Sequence, residues 1–133
     1  MEECARLIGL DEREIGERLG TALSRTRTGE SVWLVFRSRD VNLRVRCEGP
    51  DPSRVASWTA TFARGYGTLQ EAARALGLWP AVAPDESAAE VGAPLIRRSL
   101  PCPASNLVFS LTATVRGGLI TQISVFDEAP DWL

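Results

Sequence analysis

The sequence predicts an α+β fold: an antiparallel sheet of four to five strands with helices packed on one face, in the order α-β-β-(β)-α-β-β. Three observations predict it. Apolar residues recur at every second position over residues 31–48 and again over 107–125. Two short apolar stripes with helical spacing each begin at a capping residue, Asp11 and Thr68. Glycine and proline clusters separate these segments.

A helical turn is expected over residues 3–8, ended by Gly9, and a longer helix begins at Asp11. Asp11 and Glu14 have the spacing of a capping box, in which each side chain satisfies the other residue's backbone N–H. Ile15, Leu19, Ala22 and Leu23 then make one stripe. Arg25 and Arg27 would sit at its C-terminal end, where the helix dipole favours cations, and Thr28-Gly29 would stop it.

Two strands follow. Folding about Ser38-Arg39 pairs Phe36 with Val41, Leu34 with Leu43 and Val32 with Val45, all on one face. The opposite face carries Trp33 across from Arg44, and Arg37 across from Asp40. Residues 54–64 fit a third strand, with Trp58, Ala60 and Phe62 on one side, although Val55, Trp58 and Phe62 also fit a helix face. Gly65-Tyr66-Gly67 breaks that element. Thr68 and Glu71 repeat the capping spacing, and Leu69, Ala72, Ala73 and Leu76 form a helix ended by Gly77.

Residues 80–105 read as a long proline-rich connection within a single domain spanning 1–133, with one helical turn near 88–91. A β-hairpin from Asn106 to Asp127 closes the chain. A three-residue loop at Arg116-Gly117-Gly118 pairs Val115 with Leu119, Leu111 with Ile123 and Phe109 with Val125. Phe109, Leu111, Val115, Leu119, Ile123 and Val125 then face the core, and the other face is mostly Ser, Thr and Gln.

Composition removes several chemistries. The 15 basic residues are all arginine, a bias that GC-rich codon usage produces. Without histidine there is no imidazole base or ligand. Without lysine there is no Schiff base and no phosphate-binding P-loop lysine. Cys4, Cys47 and Cys102 are widely spaced and odd in number, which points to free thiols rather than a disulfide framework or a zinc site. The acidic start Met1-Glu2-Glu3-Cys4 lacks a signal-peptide pattern, and no apolar run has the length of a membrane span. The expected location is cytoplasmic.

Candidate sites remain. Trp33, Arg37, Arg44 and Arg46 could bind an acidic peptide, a phosphate or a nucleic-acid backbone. Arg97 and Arg98 lie in the proline-rich connection, and Trp132 lies in an acidic tail suited to docking. Gly65-Tyr66-Gly67-Thr68 could cradle an anion. Asp40, Glu48, Asp127 and Glu128 stand at strand ends, where a buried carboxylate could act as an acid or base.

Three resemblances bear on function. The order of elements occurs in double-stranded-RNA-binding domains, but their second helix starts basic, and here it reads Thr68-Leu69-Gln70-Glu71. With a net charge of −2, nucleic acid is not the expected partner. The hairpin from Thr114 to Glu128 resembles the closing hairpin of the SnoaL-like, nuclear-transport-factor-like superfamily, which implies a small-ligand pocket or a carboxylate acid–base enzyme. The element order over most of the chain is similar to that of class I type III secretion chaperones, small acidic dimers that wrap an extended segment of another protein.

The leading expectation is a non-enzymatic protein-binding module of secretion-chaperone, immunity or adaptor type. It would use a sheet face or a dimer seam, with another protein, a peptide or a second copy as partner, and with no cofactor, metal or membrane. The alternatives are the small-ligand or carboxylate-enzyme reading and anion binding on the arginine-bearing face.

Overall fold

The computed structural model describes residues 7–38, 40–49, 53–76, 95–101 and 108–127, and at 95–101, 108–109 and 127 it describes the backbone. Chain order is α1 (Glu12–Leu19), β1 (Ser24–Thr28), β2 (Ser31–Arg37), β3 (Val41–Glu48), β4 (Arg54–Tyr66), α2 (Leu69–Ala75), β5 (Leu95–Pro101), β6 (Val108–Arg116) and β7 (Leu119–Asp127). The α+β class is as expected. The sheet is larger than expected, with seven strands in the order β1-β2-β3-β4-β7-β6-β5 and every pair antiparallel. Among the described residues no helix is long and apolar enough to cross a membrane.

The cap of α1 forms as read. The Asp11 carboxylate accepts from the Glu14 N–H at 2.8 Å, and Glu14 Oε1 accepts from the Asp11 N–H at 3.3 Å. The helix is shorter than its stripe suggested. Gly20, at φ +84°, turns the chain out of the helical path. Leu23, expected on the buried stripe, is 64% exposed. Arg25 and Arg27 are not helix-terminal cations but belong to β1, where Thr26 and Thr28 supply β-branched positions.

The β2–β3 hairpin buries the expected face in a different register. Val32 lies opposite Cys47, Leu34 opposite Val45 and Phe36 opposite Leu43, with Trp33 opposite Arg46 and Arg37 opposite Asn42. The shift is two residues, because the turn closes between Ser38 and Val41, where the Ser38 N–H donates to the Val41 carbonyl at 2.9 Å. Registers two residues apart bury the same face, so apolar alternation cannot separate them; the turn decides. Residues 54–64 belong to β4, a strand that runs through Tyr66 past the expected break, with Trp58, Ala60 and Phe62 buried.

β5 lies inside the segment read as a connection and pairs with β6. The closing hairpin turns at two residues, Gly117 and Gly118, both at positive φ, with Arg116 opposite Leu119 and Val115 opposite Ile120. A register shift between Thr114 and Val115 then restores the expected face, pairing Ala113 with Ile123 and Leu111 with Val125. The loop is therefore two residues, not three. Ile120 takes the buried place expected for Leu119, which is 43% exposed. Val115 packs partly buried against the core.

The core is one cluster on the inner sheet face. Ile15 of α1 joins it, as do Leu69, Ala72 and Ala73 of α2 and the following Leu76. Each large apolar side chain buried there contributes roughly 1.5–3 kcal/mol. The Thr68 hydroxyl caps α2 by accepting from the Glu71 N–H at 3.1 Å. That hydroxyl already serves the helix start, where an anion had been considered.

Candidate functional site

With the helices on the inner face, the outer face is left without a covering element among the described residues. Two cross-sheet rows define it. In one, Thr26, Trp33, Arg46, Ser57, Phe126 and Ser110 lie side by side on β1, β2, β3, β4, β7 and β6. In the next, Ser24, Val35, Arg44, Thr59, Ser124 and Thr112 do the same. Thr59 Oγ1 and Ser124 Oγ share a hydrogen bond at 2.9 Å. The face thus joins a hydroxyl-rich middle to aromatic rings on β2 and β7. Phe126 is 38% exposed.

Trp33 is half-buried beneath arginines. The Arg44 guanidinium carbon lies 4.6 Å from its ring centroid, and that of Arg46 lies 6.0 Å away. These are cation–π distances. Arg46 also meets the Glu48 carboxylate at 3.4 Å, while its buried Nε has no acceptor among the described residues. Arg44 meets no carboxylate among the described residues. A shallow groove of about 500 Å³ runs beside this pair, lined by Ser24, Thr26, Thr28, Trp33, Val35, Asn42 and Arg44. Of the charged side chains that β2 and β3 carry on this face, Arg37, Arg44 and Arg46 are positive and Glu48 is negative, so this part of the face is cationic on a chain of net charge −2.

The other candidates do not join this patch. Arg37 lines a second open groove of about 360 Å³ with Ser38, Asp40, Asn42, Thr61 and Phe62. Arg97 and Arg98 are on β5, the far edge strand, opposite Thr112 and Leu111 in register. Four strand spacings separate β5 from β3, roughly 19 Å. Trp132 and Glu128 lie outside the described residues, as do Cys4 and Cys102. Asp40 is exposed beside the second groove, and Glu48 is held by Arg46.

Among the described residues, two titratable groups are displaced from their ordinary behaviour. The Glu12 carboxyl is held below the usual carboxylate value, chiefly because Arg25 Nε donates to it at 2.7 Å; the Ser53 hydroxyl also donates, at 3.1 Å. A folded-state pKa below the unfolded one stabilises above the unfolded value, and that contribution is lost as pH falls through the folded one. Stability should therefore drop as pH falls below 4.5, and Glu12→Gln should flatten that acid limb in thermal melts. Burial pushes the Cys47 thiol up to about 11, which keeps it protonated and poorly nucleophilic. Among the described residues no group of three or more His, Cys, Asp or Glu could hold a metal ion.

No family model matches the chain, and no curated protein matches it either. Among solved structures, the chain is similar to a cysteine-rich secretory protein of Staphylococcus aureus, with a TM-score of 0.53 and 9% identity. The match covers 92% of this chain and 44% of that one, so the chain spans less than half the length of its structural neighbour. At this identity the likeness is one of fold.

The reading of the sequence found the Trp33–Arg44–Arg46 cluster and missed the groove wall. Ser24 and Thr26 fall in the segment that reads as helix, and Thr28 in its expected stop. The available signal was Gly20 directly after Leu19, followed by alternating hydroxyl and arginine positions.

Proposed function

We propose that this protein is a non-enzymatic protein-binding module that docks an acidic partner segment on the outer sheet face around Trp33 and Arg44. The observation that carries the proposal is the pairing of those two side chains beside an open groove, with no carboxylate meeting Arg44 among the described residues. An aromatic ring with an arginine on an open face is the composition of an interface hot spot. The overall acidic balance weighs against a polyanionic nucleic acid, whose binding draws on clustered basic charge. A cytoplasmic, adaptor-like role is part of the proposal. The buried thiol Cys47 suits a reducing compartment, whereas the similar staphylococcal protein is secretory.

Affinity capture from the native host, followed by mass spectrometry, tests the reading. Wild-type protein should retain a stoichiometric partner. Trp33→Ala combined with Arg44→Glu should weaken retention at least about tenfold, the scale of a hot-spot loss. Recovery of no stoichiometric partner, or equal recovery by the double variant, would overturn it.

A further inference from the structure

We infer that the partner segment binds as an added strand on the free edge of β1, with acidic side chains facing Arg27. This rests on the docking reading above and names how the segment is held: its acids meet Arg27 on the inner side of the sheet, and its alternate side chains continue the outer-face rows beside Trp33.

Among the described strands β1 ends the sheet, and all five of its residues are exposed. The hydrogen-bond phase shows which backbone groups reach outward. The Val35 carbonyl accepts from the Leu23 N–H at 2.6 Å, so the backbone of Val35 faces β1. Its register partner Ser24 therefore faces β2, and so do Thr26 and Thr28. The intervening residues turn the other way, which leaves the N–H and C=O of Arg27 directed at the open edge. β1 has no proline or glycine within it, and no register shift breaks its pairing with β2, so nothing in its backbone blocks an incoming strand.

Side-chain charge selects the occupant. The Arg25 side chain is engaged by Glu12, at 2.7 and 3.3 Å. Arg27 makes no ion pair within 4.0 Å among the described residues, although its charge reaches the Glu12 carboxylate that Arg25 holds. A second copy of the chain would pair β1 with β1 and set arginine opposite arginine, a repulsive arrangement. An extended peptide that alternates acidic and β-branched residues satisfies both sides. Its acids lie opposite the arginines, and its alternate residues extend the outer-face rows next to Thr26 and the Trp33 groove. The edge is thus selective as well as open: Arg27 repels a like strand and attracts an acidic one.

The test titrates the protein with a capped peptide alternating glutamate and valine, and with a counterpart alternating lysine and valine, following amide exchange. The acidic peptide should bind and protect the Arg27 amide, and the lysine peptide should not. Arg27→Gln should weaken binding several-fold. Arg27→Pro removes the outward N–H as well and should weaken it at least tenfold more, while leaving the thermal midpoint near wild type, since an edge strand tolerates proline where the N–H faces solvent. Absence of saturable binding by the acidic peptide, or equal binding by Arg27→Gln and Arg27→Pro, would overturn strand addition. If Trp33→Ala with Arg44→Glu abolishes capture of the native partner but Arg27→Pro does not, strand addition fails while docking on the face stands.

Discussion

Trp58→Ala should unfold the protein or cost about 3–5 kcal/mol, the scale of removing a large aromatic side chain from a core. Trp58 is 1% exposed and sits at the middle of the sheet, opposite Val45 on β3 and Val125 on β7. Among the described residues its buried indole Nε1 has no hydrogen-bond acceptor. An unsatisfied buried donor carries a desolvation cost of about 1–3 kcal/mol. Trp58→Phe removes that donor while keeping a ring in the site, so the two effects oppose. The expected loss for Trp58→Phe is under about 1.5 kcal/mol, the range for shape-tolerant core exchanges. Chemical denaturation of both variants checks the pair. A Phe variant as damaged as the Ala variant would mean that the indole N–H has a partner in solution.

Gly65→Ala should destabilise by about 1–3 kcal/mol through overpacking. A Cβ at position 65 would stand 2.6 Å from Leu119 Cβ and 3.3 Å from the Ile120 carbonyl oxygen. Both obstacles belong to or adjoin the backbone of β7, so neither can swing away as a flexible side-chain tip does. The close approach occurs where β4 and β7 lose their regular register, between Thr61 and Tyr66. Leu119→Gly removes the first obstacle. The two changes together should therefore be less damaging than the sum of their separate effects, a coupling that a double-mutant cycle on the denaturation midpoint measures.

The parts of the fold legible in the sequence are those written in short-range chemistry. The Asp11–Glu14 box, the Thr68 cap and the alternation of β2 and β3 each depend on neighbours a few residues apart, and each appears as read. The misreadings have one physical origin. Periodicity fixes which face a residue takes, but it does not fix the partner across the strand. The β2–β3 register moved by two residues without changing a single face. At the closing hairpin, a two-residue glycine turn and a register shift together deliver the same buried face that a three-residue loop would have given, and they exchange Leu119 for Ile120. β1 was hidden because Ala22 and Leu23 extended a helical stripe that Gly20 ends. Its burial gives no alternation to read, since all five residues are exposed. The candidate site follows the same division. Trp33 and Arg44 are close in the sheet because their strands are joined by a hairpin. The groove beside them needed β1, whose membership in the sheet only the tertiary pairing reveals.

Docking of an acidic segment along the β1 edge, beside the outer-face Trp33–Arg44 pair, is the central claim, and amide hydrogen exchange of the protein alone and bound to its captured native partner tests it most directly. The account predicts new protection concentrated on Ser24–Thr28 and Ser31–Arg37, with the α1 and α2 amides unchanged. Protection confined to the helices, or to the β5 edge at Leu95–Pro101, would contradict it.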